Sequence, residues 1–137
     1  MGEKTIYITE YDIGRLEKLF SRTEVPRRDQ DSLDILEEEI GKCKVVKSDE
    51  VPPDVVTINS RVRLRDLGAD KEMTVRLVLP HMADLSEGRL SVVSPIGTAI
   101  LGYAVGDIIE WEVRSGTKKI SVEEILYQPE AAGDFHL

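Results

Sequence analysis

Asp29 and Asp31 are the residues whose type and spacing come nearest to catalytic chemistry in this chain. Two carboxylates at an exposed turn can share a divalent cation through oxygen ligands. The competing reading is structural and carries more weight: Asp31 caps a helix, and Asp29 sits near the positive end of its dipole. Arg22, Arg27 and Arg28 crowd the same turn, where they can meet phosphate, an acidic partner or solvent. Glu37, Glu38 and Glu39 read as a solvated helix face. His81 and His136 fall in a loop and in the C-terminal tail. With one cysteine, Cys43, there is no zinc-ligand spacing of the H-x-x-x-H or C-x-x-C kind. G-x-S-x-G, Walker A and G-x-G-x-x-G patterns are also missing, so a serine nucleophile and nucleotide binding have no sequence support. No cofactor, no metal and no catalytic residue is expected.

The elements that must carry these residues follow from periodicity. Thr9-x-x-Asp12 is capping-box-like, and Ile13, Leu16 and Phe20 then mark one helical face. Thr23–Gln30 breaks the pattern at Pro26. A second helix starts at Asp31, with Leu33, Leu36, Ile40 and Cys43 as a coiled-coil-like seam and Lys42, Lys44 and Lys47 toward its end. Together they predict a short antiparallel helical hairpin over residues 1–50. At about 1.5 Å per residue, each arm is roughly 20 Å long.

Lys47–Asp54 reads as a linker, and beyond it the period changes to two. Arg61–Arg65 alternates with Val62 and Leu64 inward; Met73–Leu79 and Leu90–Val93 follow as strands. Arg61, Arg63 and Arg65 then share one exposed face, paired with nearby Glu. Ser91–Gly102 (SVVSPIGTAILG) ends a strand and starts a very short helix, with Ser94 as cap and Pro95 at the first helical position. Gly102 suits a left-handed stop. Ile109–Val113 and Lys118–Tyr127 complete a small antiparallel sheet, with a bulge expected at Glu123-Glu124. Gln128–Leu137 reads as an irregular tail. The fold class is therefore α+β.

Composition narrows the functional classes. The chain has 137 residues, 41% of them hydrophobic, which suffices for one core, and only 5% aromatic, which makes that core aliphatic. A net charge of −8 argues against nucleic-acid binding as the default, and no sequence-specific DNA binding is expected. One cysteine precludes an internal disulfide and fits a reducing compartment. MGEKTIYITE has no apolar signal-like run, and no segment reaches the length of a membrane span. A cytoplasmic protein that does not contact membranes is expected.

Four strings carry a resemblance: VVTINSRV (55–62), SVVSPIGTAILG (91–102), Gly106-Asp107 and YQPEAAGDF (127–135). Together with the short hairpin, the chain resembles the Rnk family, the regulators of nucleoside diphosphate kinase. These are bacterial relatives of the Gre transcript-cleavage factors. The resemblance implies an FK506-binding-protein-like C-terminal domain over residues 51–137. It implies binding to RNA polymerase at the rim of the secondary channel, on a coiled coil of the β′ subunit. Carried over by position, the docking residues are Val93, Ser94, Pro95 and Ile96. Gre factors often have an acidic or amide residue before the Ser-Pro pair, where this chain has Val93. Their long arms also end in an acidic tip that holds a catalytic Mg²⁺. The tip EVPRRDQD does not match that motif, so Asp29 and Asp31 do not inherit the role. The implied function is non-enzymatic: occupancy of the channel entrance in competition with longer-armed factors, with an indirect effect on nucleoside diphosphate kinase. The alternatives are a transcript-cleavage-stimulating elongation factor and, on fold alone, a peptidyl-prolyl isomerase.

Overall fold

The computed structural model describes residues 6–20, 34, 37, 38, 40–113 and 116–134. Strand β1 (Tyr7–Thr9) runs directly into helix α1 (Glu10–Phe20). Thr9 makes the junction: its Oγ1 accepts the Asp12 N–H at 3.0 Å, satisfying one of the free donors of the first turn. Glu10 and Asp12 in the first turn and Lys18 in the last match the helix dipole.

Asp34, Glu37, Glu38 and Ile40 are helical, as the second apolar stripe requires. That helix stops sooner than the stripe does. The Gly41 N–H bonds Glu37 O, the Cys43 N–H bonds Ile40 O, and Lys44–Val46 leave as strand β2, parallel to β1. Cys43 therefore lies beyond the helical seam, and Lys44 belongs to a strand rather than to a helix end. Gly41 weakens the helix, and the β-branched pair Val45-Val46 prefers extended backbone.

The main sheet has the order β5-β4-β3-β7-β6. β3 (Arg61–Asp66) and β4 (Lys71–Val78) pair antiparallel around a turn at residues 67–70. In that turn Asp66 Oδ1 accepts the N–H groups of Gly68 and Ala69 at 3.0 and 3.2 Å. β6 (Ile108–Val113) and β7 (Gly116–Tyr127) pair antiparallel as well. The expectation of a wholly antiparallel sheet is corrected at β5 (Arg89–Ser91), which runs parallel to β4. Two 3-10 turns, Pro80–Met82 and Leu85–Glu87, carry the chain back so that it re-enters the sheet in the same direction.

β7 holds two extra residues. Leu64 faces Val122 and Arg63 faces Glu124, so Glu123 is passed over; Val62 faces Ile125 and Arg61 faces Tyr127, so Leu126 is passed over. The first is the bulge that the phase break at Glu123-Glu124 predicts. The tail expectation is corrected at its start. Gln128 caps a short helix α3 (Pro129–Ala132), and Gly133 ends it with φ of 82°. The strand-to-helix turn is held because Gln128 Oε1 accepts the Ala131 N–H at 3.1 Å.

One apolar core joins all of this. Ile6, Ile8 and Leu16 from the N-terminal part are buried with Val56, Ile58, Val62, Leu64, Leu77, Ile100, Ile120 and Val122. Val62 and Leu64 are fully buried, as their alternation with arginine requires.

Candidate functional site

The Ser-Pro turn is built from local hydrogen bonds. Ser94 has extended backbone, and its Oγ accepts the Gly97 N–H at 3.0 Å while donating to Ser91 O at 2.7 Å. Pro95 occupies the first position of helix α2 (Pro95–Ile100), where no N–H is needed. Ser91 Oγ accepts the Val93 N–H, and Thr98 Oγ1 donates to Val92 O. Glycine at 97 is obligatory. A Cβ there would stand 2.0 Å from Ser91 O. Gly102 takes φ of 85°, the left-handed stop expected from the sequence. It is also a contact point, since a Cβ would stand 2.1 Å from Ile6 Cγ2.

The four candidate docking residues are contiguous but unequal. Val93 is fully buried in the core, so its side chain supports the turn from beneath. Ser94 and Ile96 are half-buried, and Ile96 packs on the edge of the core. Arg22, Arg27, Arg28, Asp29 and Asp31 lie outside the described residues.

A buried polar cluster was not singled out from the sequence. Asp12 is fully buried. Its Oδ2 accepts the Ile58 N–H at 3.0 Å, and its other oxygen pairs with Arg15. Arg15 lies over the Tyr11 ring at 4.2 Å. Nearby, Thr57 Oγ1 donates to Glu130 Oε1 at 2.7 Å and lies 2.8 Å from Ser60 Oγ, which accepts the Thr57 N–H. Gln128 Nε2 donates to Pro52 O and Val55 O at 2.8 and 2.7 Å. Burial pushes the Asp12 carboxyl up to about 6 from 3.8; Arg15 and the Ile58 N–H oppose this, and Glu130 adds to it. The signal was available. Asp12 is four residues before Leu16, hence on the same helical face, and Thr57 sits between two apolar residues.

On the outer face of the sheet two of the three arginines, Arg63 and Arg65, are paired with carboxylates as the sequence suggests. Arg65 Nε donates to Glu123 at 2.9 Å, and the same side chain reaches Asp70 and Glu72. Arg63 lies 3.3 Å from Glu124 and 3.5 Å from Glu72. The first bulge sets Glu123 beside Glu124, so that each meets its own arginine.

The N-terminal strand, its helix and the Ser-Pro turn are each matched in known families. A family model described as the Rnk N-terminus covers residues 4–46, and one described as the C-terminal part of the transcription elongation factor GreA/GreB covers residues 51–127. The regulator of nucleoside diphosphate kinase from Escherichia coli strain K12 is 40% identical over the full length of both chains. The chain belongs to the Rnk family. The relationship of this Rnk-family chain to the elongation factors is partial in sequence. GreA of Christiangramia forsetii is 39% identical over 66% of this chain and 57% of its own. In structure the likeness is broader. A GreA/GreB elongation factor from Nitrosomonas europaea superimposes with a TM-score of 0.72 at 36% identity, covering 91% of this chain and all of that one. The fold is thus the mixed α and β fold of these factors. No helix among the described residues is long and apolar enough to cross a membrane.

Proposed function

We propose that this chain is a non-enzymatic transcription regulator that binds RNA polymerase near the secondary channel, in competition with Gre factors. Its effect on nucleoside diphosphate kinase is then an indirect, transcriptional outcome. The observation that carries the reading is the GreA/GreB C-terminal match over residues 51–127, which contains the Ser94–Pro95 turn. That turn is rigid: Ser94 is bonded on both sides, and Gly97 admits no side chain. A partner meeting it loses little conformational entropy, which favours binding. Ser94, Pro95 and Ile96 form the contact with the polymerase β′ coiled coil, and Val93 holds them up from the core. The reading takes residues 1–50 as a short helical hairpin and 51–137 as an FK506-binding-protein-like domain.

The test is a pull-down with core polymerase. Ser94→Asp and Pro95→Ala should each weaken retention while the fold is kept. Full retention by both variants sinks the proposed contact. Retention of neither the variants nor the wild type sinks the partner itself. Stimulated transcript cleavage in a backtracked complex with Mg²⁺, lost on Asp29→Ala or Asp31→Ala, would replace this reading with that of a cleavage factor.

A further inference from the structure

Helix α1 is braced against helix α2 through a closed ring of hydrogen bonds, three between backbone groups and one through the Asp12 side chain. At the end of α2, Gly102 O accepts the Tyr7 N–H of β1 at 3.3 Å, and the Gly102 N–H bonds Val56 O at 2.9 Å. Tyr103 O accepts the Val56 N–H at 2.8 Å. Two residues further on, the Ile58 N–H returns to α1 through Asp12. The 56–58 segment thus holds the end of α2 on one side and the start of α1 on the other. Thr57, between them, is fixed in turn by Glu130 and Ser60.

Ile13 and Leu16 also press α1 onto the core. Apolar contact of that kind is non-directional and tolerates rotation. Hydrogen bonds have a preferred geometry and select one orientation. Gly102 adds a steric condition, because its bare Cα is what lets β1 come so near. Arg15, stacked on Tyr11 and paired with Asp12, extends the brace along α1.

We propose that Asp12 and Gly102 are positioning residues that lock α1 at one angle to α2, so that the element that docks also aims the arm. What the aim achieves rests on the polymerase reading above; the lock itself does not. Asp12→Asn keeps an oxygen for the Ile58 N–H and should keep the angle. Asp12→Ala removes it, and Gly102→Val forces β1 outward.

The test places spin labels at Glu17 and Lys71, both exposed, in a Cys43→Ser background. Pulsed dipolar spectroscopy on the free protein should give one narrow distance for the parent and for Asp12→Asn. Asp12→Ala should give a broad or two-peaked distribution, with the amides of β3 and β7 still protected, as in a folded sheet. A narrow, unshifted peak for Asp12→Ala overturns the lock. Where Gly102→Val fails to fold, Asp12→Ala carries the result alone. A second experiment adds a Gre factor to core polymerase. Asp12→Ala should still be retained on polymerase through the Ser-Pro turn, but more of it than of the parent should be needed to displace the Gre factor. Undiminished displacement overturns the positioning role. Absence of polymerase binding by the parent chain overturns the functional reading and leaves the distance result standing.

Discussion

The Thr57 hydroxyl donates to Glu130 at 2.7 Å across 73 residues of sequence, and both side chains are buried. This bond ties the segment that leads into β3 to helix α3. Removing the donor leaves a carboxyl inside the protein short of a partner, which typically costs about 1–3 kcal/mol. Thr57→Val should lower stability by that amount in a urea titration, whereas Thr57→Ser should be close to wild type.

Asp12 sets a pH dependence with a defined sign. Its folded value, about 6, lies above the ordinary 3.8, so the folded chain keeps a proton that the unfolded chain has released. The resulting stabilisation is complete below 3.8 and is lost as pH rises through about 6. The difference in unfolding free energy between wild type and Asp12→Asn should therefore decline across that window and level off above it. A difference that is flat from about pH 4 to about pH 7 contradicts the buried carboxyl.

The Ser-Pro turn should answer to two substitutions of unequal size. Ser94→Ala removes a cap, an effect of about 1 kcal/mol. Gly97→Ala drives a methyl group into Ser91 O, 2.0 Å away, and must displace the backbone. Gly97→Ala should thus be the more destabilising of the two in matched denaturation curves, and the order should not invert.

Leu16 is fully buried in the core that also holds Ile58 and Leu64. Leu16→Ala should cost about 2–5 kcal/mol. Because the core is shared, amide protection should fall in β3 as well as in α1. A loss confined to α1 would show the two regions to be energetically separate.

Periodicity made the sheet readable. Val62 and Leu64 lie inward, their flanking arginines lie outward, and the phase break at Glu123-Glu124 marks a real bulge. The Ser-Pro helix and its glycine stop were readable because caps and left-handed residues are local chemistry. Four things were not. The direction of β5 depends on how the 80–88 turns fold, and alternation is blind to direction. The helix end at Gly41 was hidden because Cys43 continues an apolar stripe that the backbone does not follow. Gln128 and Glu130 read as tail residues because their partners, Val55 and Thr57, are remote in sequence. The spacing Thr9-x-x-Asp12 predicts a cap partner, yet the Asp12 side chain serves a different segment, since the Thr9 hydroxyl alone suffices for the cap.

The two extra residues of β7 also bear on how this chain can change in length. Leu64, Val62 and their partners Val122 and Ile125 keep their facing whether or not Glu123 is present. Deleting Glu123 would regularise the strand, take one carboxylate from Arg65, and leave the inward set in place. Leu126 stands in the same relation to Ile125 and Tyr127. A strand interior is ordinarily where a one-residue deletion is most disruptive, because it turns the sheet inside out. Here β7 offers two points at which the chain can shorten by a residue and keep its register.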